Sequence, residues 1–150
     1  MDKKACILAI LVIFGLAACA GMQSGTTGPY LPNDIKIIPP SPDLLKDIAI
    51  FSGKWEGMWS SEVILVVEEI HDTWAQVVYS RSASQLHEIV GGHFRVKGKV
   101  ISDPKPTIVL EKDQIKARGD VYFEVKDSNT LVGGTSTQYG NFQYIMKRMN

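Results

Sequence analysis

Cysteine is almost absent from this chain of 150 residues: there are two, Cys6 and Cys19, and both lie within the first twenty positions. Everything after position 19 therefore lacks a thiol for a disulfide, a zinc site or a cysteine nucleophile. Excess charge is missing too. Sixteen basic and sixteen acidic residues balance, and no basic run occurs, which argues against nucleic acid as a partner. Histidine is scarce, and the spacings of His71, His87 and His93 match no helix or strand ligand pattern, so they read as solvated residues and no metal is expected. Glu68 and Glu69 adjoin in a strand-like stretch, which places them on opposite faces, at most one inward, and denies them an acid–base pairing. Ser80, Ser82 and Ser84 lack a Gly-x-Ser-x-Gly setting, and the pairs Gly91-Gly92 and Gly133-Gly134 precede no helix that could cradle phosphate. No catalytic constellation and no cofactor are expected.

What is present begins with "MDKKACILAILVIFGLAACAG". Lys3 and Lys4 form a positive flank, and Ala5 to Ala18 are almost wholly apolar. That is shorter than the roughly 20 residues of a transmembrane helix and fits the core of a secretory signal. A buried core helix would need a polar face, and this stretch has none. Leu16-Ala17-Ala18-Cys19 resembles the lipobox of bacterial lipoproteins. The resemblance implies cleavage after residue 18, diacylglycerol on the Cys19 thioether and acylation of the new amino terminus. It also implies a place in the bacterial cell envelope; Ala20, in place of Asp, resembles the outer-membrane sorting default, facing the periplasm. Each acyl methylene adds about 0.8 kcal/mol of membrane affinity, so two or three chains hold a protein on a bilayer. Losing residues 1–18 removes Asp2, Lys3 and Lys4 and leaves 14 basic and 15 acidic residues.

Residues 19–40 are rich in Gly, Pro, Ser and Thr without periodicity and read as a lipidated, disordered tether. Ser41-Pro42-Asp43 carries the signs of a helix start, with Leu44, Leu45 and Ile48 facing inward. From Trp55 the period becomes that of strands. "HFRVKGKVI" alternates Phe94, Val96, Gly98 and Val100 with Arg95, Lys97 and Lys99. "VILVVEEI" (63–70) and "TWAQVVYS" (73–80) flank a turn at His71-Asp72. "TIVLEK" (107–112) pairs with "QIKARG" (114–119), and "DVYFEVKD", "TLVGGTST" and "FQYIMKR" complete a series of tight hairpins. The expected fold is all-β: one antiparallel up-and-down β-barrel of about eight strands over residues 41–150, preceded by a short helix. The longest connection, 81–92, is either a lid at the barrel mouth or slack.

A short helix followed by Gly53-x-Trp55 at the opening of the first strand resembles the start of a lipocalin-like (calycin) barrel. That resemblance implies that Trp55 closes one barrel end, with a basic residue of the last strand over its ring: Arg148, with Lys147 as the alternative. The chain is shorter than typical lipocalins and lacks their disulfide. Trp59, four residues on, shares the face of Trp55 if the strand continues. Trp59, Trp74, Tyr79, Phe94, Phe123 and Tyr144 are the candidates to line an apolar interior site, and inward Gly98 and Gly133 favour a cavity. Trp74 and Tyr122, if outward, would instead mark a protein or sugar contact. "VILVVEEI" is apolar on both faces, so something covers its outer side, a partner protein being one option. Two functions remain open: a barrel that binds a small apolar or amphipathic molecule, and a filled barrel that serves as a structural or interaction module of the envelope.

Overall fold

The computed structural model describes residues 28–84 and 91–150. One turn of helix, α1 (Lys46–Ala49), precedes eight strands: β1 (Gly53–Met58), β2 (Glu62–Ile70), β3 (Trp74–Arg81), β4 (Gly92–Ile101), β5 (Thr107–Leu110), β6 (Asp120–Asp127), β7 (Thr130–Thr137) and β8 (Gly140–Arg148). Each pairs antiparallel with the next, and β8 returns to β1, closing an up-and-down barrel. The expected fold class is the observed one. Alternation drives it: in β3, Ala75, Val77 and Tyr79 point inward and are buried, and the same phase recurs in Val63, Leu65 and Val67 of β2.

Closure rests on three residue pairs, Trp55 with Arg148, Glu56 with Lys147, and Gly57 with Met146. The two ends of the barrel differ. At the closed end Trp55 is fully buried beside Phe51 and Ile48. Its indole N–H donates to the Phe51 carbonyl at 2.8 Å, and the Arg148 guanidinium carbon sits 4.0 Å above its ring centroid. Arg148 Nη1 donates to Ser52 O at 2.8 Å and Nη2 to Ile50 O at 2.6 Å, so one side chain covers the ring and fastens the helix turn above it. Lys147 does not take that place; its Nζ donates to Thr130 Oγ1. Gly53 explains the Gly-x-Trp spacing. Its φ of +118° disfavours other residues, and a Cβ there would stand 2.8 Å from Arg148 Nη1.

Three expectations are corrected. First, α1 starts at Lys46 rather than at Ser41-Pro42-Asp43, which instead form a turn with Leu44 N donating to Ser41 O. Leu45 consequently points out and is exposed, while Ile48 alone anchors the helix in the core. Second, residues 114–119 form no strand. The segment 111–119 is a looped connection that sends Ile115 into the core. Third, Glu68 and Glu69 do not lie on opposite faces: Glu68 is outward by alternation, and a register shift between Val67 and Glu69 turns Glu69 outward beside it and Ile70 into the core. Glu68 accepts from Arg95, and Glu69 meets His71 Nε2 at 2.9 Å.

Residues 28–40 contain neither helix nor strand, as their composition suggests, but they are not free of the barrel. They form a strap down the outer wall of β2–β4. Ser80 Oγ donates to Tyr30 O, Arg95 makes a two-pronged bond to the Asp34 carboxylate at 2.8 and 2.9 Å, and Ile38 N donates to Glu68 O. The hydrogen bonds from Arg95 hold the Asp34 carboxyl below its usual pKa. Outward-facing Val66 and Val78 are fully buried beneath this strap. The apolar outer side of "VILVVEEI" is therefore covered by the chain itself, because two bare valines on a sheet need a cover and the preceding segment is within reach. Of the 81–92 connection, residues 85–90 (including His87) lie outside the described residues, so its reading as a lid does too.

Trp55→Ala should cost about 3–5 kcal/mol, the range for a large aromatic truncated in a packed core. Urea denaturation followed by far-ultraviolet circular dichroism measures it, and an unchanged midpoint would remove Trp55 from its role as plug.

Candidate functional site

Among the described residues, the end opposite Trp55 is open. A cavity of about 960 Å³ lies there, within the range of small-ligand sites. Its walls come from the mouth ends of the strands and from two connections: Trp59 and Ser60 after β1, Tyr79 and Arg81 of β3, residues 116–119 before β6, and Thr135 to Tyr139 with Phe142 around the β7–β8 turn.

Local sequence explains the opening. β5 is only four residues long, so β4 pairs with it along Lys99–Ile101 and has no such partner nearer the mouth. The connection 111–119 packs Ile115 into the core here, and Lys116 adopts a φ of +50°. Arg81 holds this segment in place. It continues the inward phase of Ala75, Val77 and Tyr79, is buried, and Nη2 donates to the carbonyls of Ile115 and Lys116 at 3.2 and 3.0 Å. The Phe94 ring lies 5.5 Å from its guanidinium carbon.

The floor is aromatic. Trp59 lies just past the end of β1, stacked on Tyr144 with ring centroids 6.3 Å apart and 6.4 Å from Phe142. Tyr79 contacts Phe123 at 6.2 Å. Burial raises the pKa of Tyr79, opposed by Arg81, and raises that of Tyr144 well above the usual phenol value, so both rings carry neutral hydroxyls at neutral pH. The Tyr144 hydroxyl has no hydrogen-bond partner among the described residues, and neither do Ser60 Oγ, Ser61 Oγ and Ser82 Oγ. All three serines sit at the mouth ends of β1–β3. Buried polar groups are normally paired; of these four, Ser60 lines the cavity itself, where its hydroxyl is available to water or a ligand's polar atom, and Ser61 and Ser82 lie at the same end.

The residues expected to line a site divide into three groups. Trp59 and Tyr79 do line the cavity. Tyr144 and Phe123 support its floor from the core, and Phe94 packs against the core beneath Arg81. Trp74 is elsewhere and is a correction: it faces outward near the closed end, stacked on His71 at 4.1 Å with Lys97 Nζ 4.0 Å from its ring centroid. β3 places alternate residues outside, and Trp74 is out of phase with Tyr79. The two inward glycines leave no cavity either. A Cβ on Gly133 would meet the Tyr144 ring at 2.7 Å, and one on Gly98 would meet Leu110 at 2.7 Å, so their room is already filled. Arg81 and Ile115 were missed, although the strand phase of Arg81 was visible. Among the described residues, no three or more His, Cys, Asp or Glu side chains are grouped to hold a metal.

Comparison with protein-family models, with curated proteins and with solved structures finds no match for the chain. The class is therefore defined by the architecture itself, a closed eight-stranded up-and-down barrel with one plugged end and, among the described residues, an aromatic cavity at the other.

Tyr144→Phe removes a buried hydroxyl whose polar neighbour is Tyr79, in a geometry short of a hydrogen bond, and should change stability at neutral pH by no more than about 1 kcal/mol. It should also blunt alkaline unfolding. A phenol whose pKa is raised by folding keeps its linked stability below about pH 10 and loses it as pH climbs through the folded value. Melting curves at pH 7 and pH 11 read both effects; a lower melting temperature with an unchanged alkaline slope would mean the hydroxyl is already satisfied in the folded chain.

Proposed function

We propose that this chain is a lipid-anchored envelope protein of lipocalin-like type, whose barrel binds a small apolar or amphipathic molecule at its open end. The observation that carries the reading is the coincidence at one end of three things: a cavity of about 960 Å³, an aromatic floor, and unpaired hydroxyls. A barrel filled only for stability has no reason to concentrate its unpaired polar atoms on one side of its core. The aromatic surface takes the apolar body of a ligand, and the hydroxyls orient its polar end. No bond needs to be made or broken in this reading; the protein is a binder rather than a catalyst, without a cofactor.

Anchorage rests on the lipobox resemblance of Leu16 to Cys19, and the expected place is the periplasmic face of the outer membrane. The competing reading, a structural or protein-docking barrel, draws support from the base, where Trp55, Leu65, Phe123, Leu131 and Met146 leave the core packed. That packing restricts a ligand to the upper half and does not exclude one.

Native mass spectrometry of the mature chain from its own host separates the two. The binder is expected to carry a noncovalent added mass that disappears on denaturation and is reduced in Trp59→Ala, by roughly tenfold or more in affinity. A bare mass that persists after incubation with extracted envelope lipids would favour the filled barrel. Independently, Cys19→Ser should leave an uncleaved, unacylated precursor; normal processing of that variant would end the anchor reading.

A further inference from the structure

The strap gives the barrel a direction. Gly28, the first described residue, lies against the Glu62 carboxylate at the start of β2, which is the mouth rim. Tyr30 follows beside His93, at the mouth end of β4, with ring centroids 5.4 Å apart. The strap then descends past Arg95 and Glu68 to the helix at the plugged end. The chain therefore reaches the barrel at the end that holds the cavity.

We propose that the mouth faces the bilayer and docks on it, so that the ligand passes between membrane and cavity without crossing open water. This rests on the reading of Cys19 as the anchor. Nine residue steps separate Cys19 from Gly28, a length that reaches at most about 30 Å even when fully extended. Strands of eight to ten residues, tilted as in other barrels, make a wall roughly 20–25 Å tall. An anchor that short favours the end where the tether begins; the reverse orientation would stretch it along the whole wall.

The mouth suits the surface it would meet. Tyr139, Met58, Tyr30 and Phe142 are exposed there, at 79%, 61%, 57% and 44%. Aromatic rings with polar tips settle at the headgroup boundary. The plugged end exposes the aliphatic Ile37, Ile38, Leu45 and Ile101, and its outward aromatic, Trp74, is half-buried against His71 and Lys97. Apolar exposure alone does not choose between the ends; the tether does, and the aromatics agree with it. Charge at the rim is mixed, with Lys112, Lys116 and Arg118 offset by Glu62, Glu111, Asp113 and Asp120, so docking should not require anionic lipid.

The test uses the mature lipidated chain in phosphatidylcholine vesicles that contain a nitroxide-labelled headgroup lipid. With Cys6 removed and Cys19 blocked, single cysteines carry a bimane label at the mouth (Tyr139→Cys, and separately Met58→Cys) or at the opposite end (Ser128→Cys). Quenching several-fold stronger at both mouth positions than at Ser128 is the expected result. Equal quenching, or stronger quenching at Ser128, on a chain whose intact mass shows acylation overturns the orientation and leaves the anchor standing. An intact mass without acyl chains removes the anchor, and the orientation with it.

Discussion

The stacking of Arg148 on Trp55 is the contact on which the rest of the barrel depends. A sheet of eight strands closes only if the first and last strands pair, and here they do so over three residues, with Trp55 opposite Arg148. The same pair fills the end of the cylinder. Without the indole the base would hold a hole the size of a large side chain. Without the guanidinium, the carbonyls of Ile50 and Ser52 would lose their donors and the helix turn its fastening. Lysine could supply the charge but not the flat, multi-pronged geometry that covers a ring and binds two carbonyls at once. Gly53 is the local condition for this arrangement, since any side chain there would displace Arg148.

With one end fixed so tightly, the other end is where the fold has freedom. The gap that the short β5 leaves along β4, the looped 111–119 segment and the left-handed Lys116 all lie toward the mouth, as do the serine hydroxyls without partners. Each of these costs stability, and a core built only for stability would have replaced them. The buried Arg81 offsets part of that cost by bonding the carbonyls of Ile115 and Lys116. The molecule is thus divided along its axis, packed at the base and under-satisfied at the top.

Legibility in the sequence followed the same axis. Strand phase, turns and the Gly-x-Trp opening were readable because each is local: alternation in "HFRVKGKVI" needs no knowledge of neighbours. Trp59 and Tyr79 were recognised because they fall in phase with buried partners. What failed depended on contacts across the barrel. Gly98 and Gly133 looked like space until the Leu110 and Tyr144 side chains that occupy it were placed. The bulge after Val67 shifted Glu69 outward and Ile70 into the core, which no two-residue period foretells. Ile115 sits in a segment whose pattern imitates a strand, and only the short β5 reveals that it is a plug. Trp74 needed its phase against Tyr79 to be followed through.

The strap links these two ends of the barrel through the outer wall. Its unsheeted composition disguised it as a tether, yet the paired burial of Val66 and Val78 implied a cover for that face. Because it is fixed at Ser80, Arg95 and Glu68 before it reaches α1, a pull applied at the amino-terminal side is taken up along β2–β4. The plug formed by Phe51, Trp55 and Arg148 lies beyond those fastenings. Motion of the amino-terminal segment would accordingly move the barrel as a body instead of opening its base. A rigid base and a terminus that arrives at the mouth are compatible requirements only because the strap crosses the wall between them, and the outward valines are what hold it there.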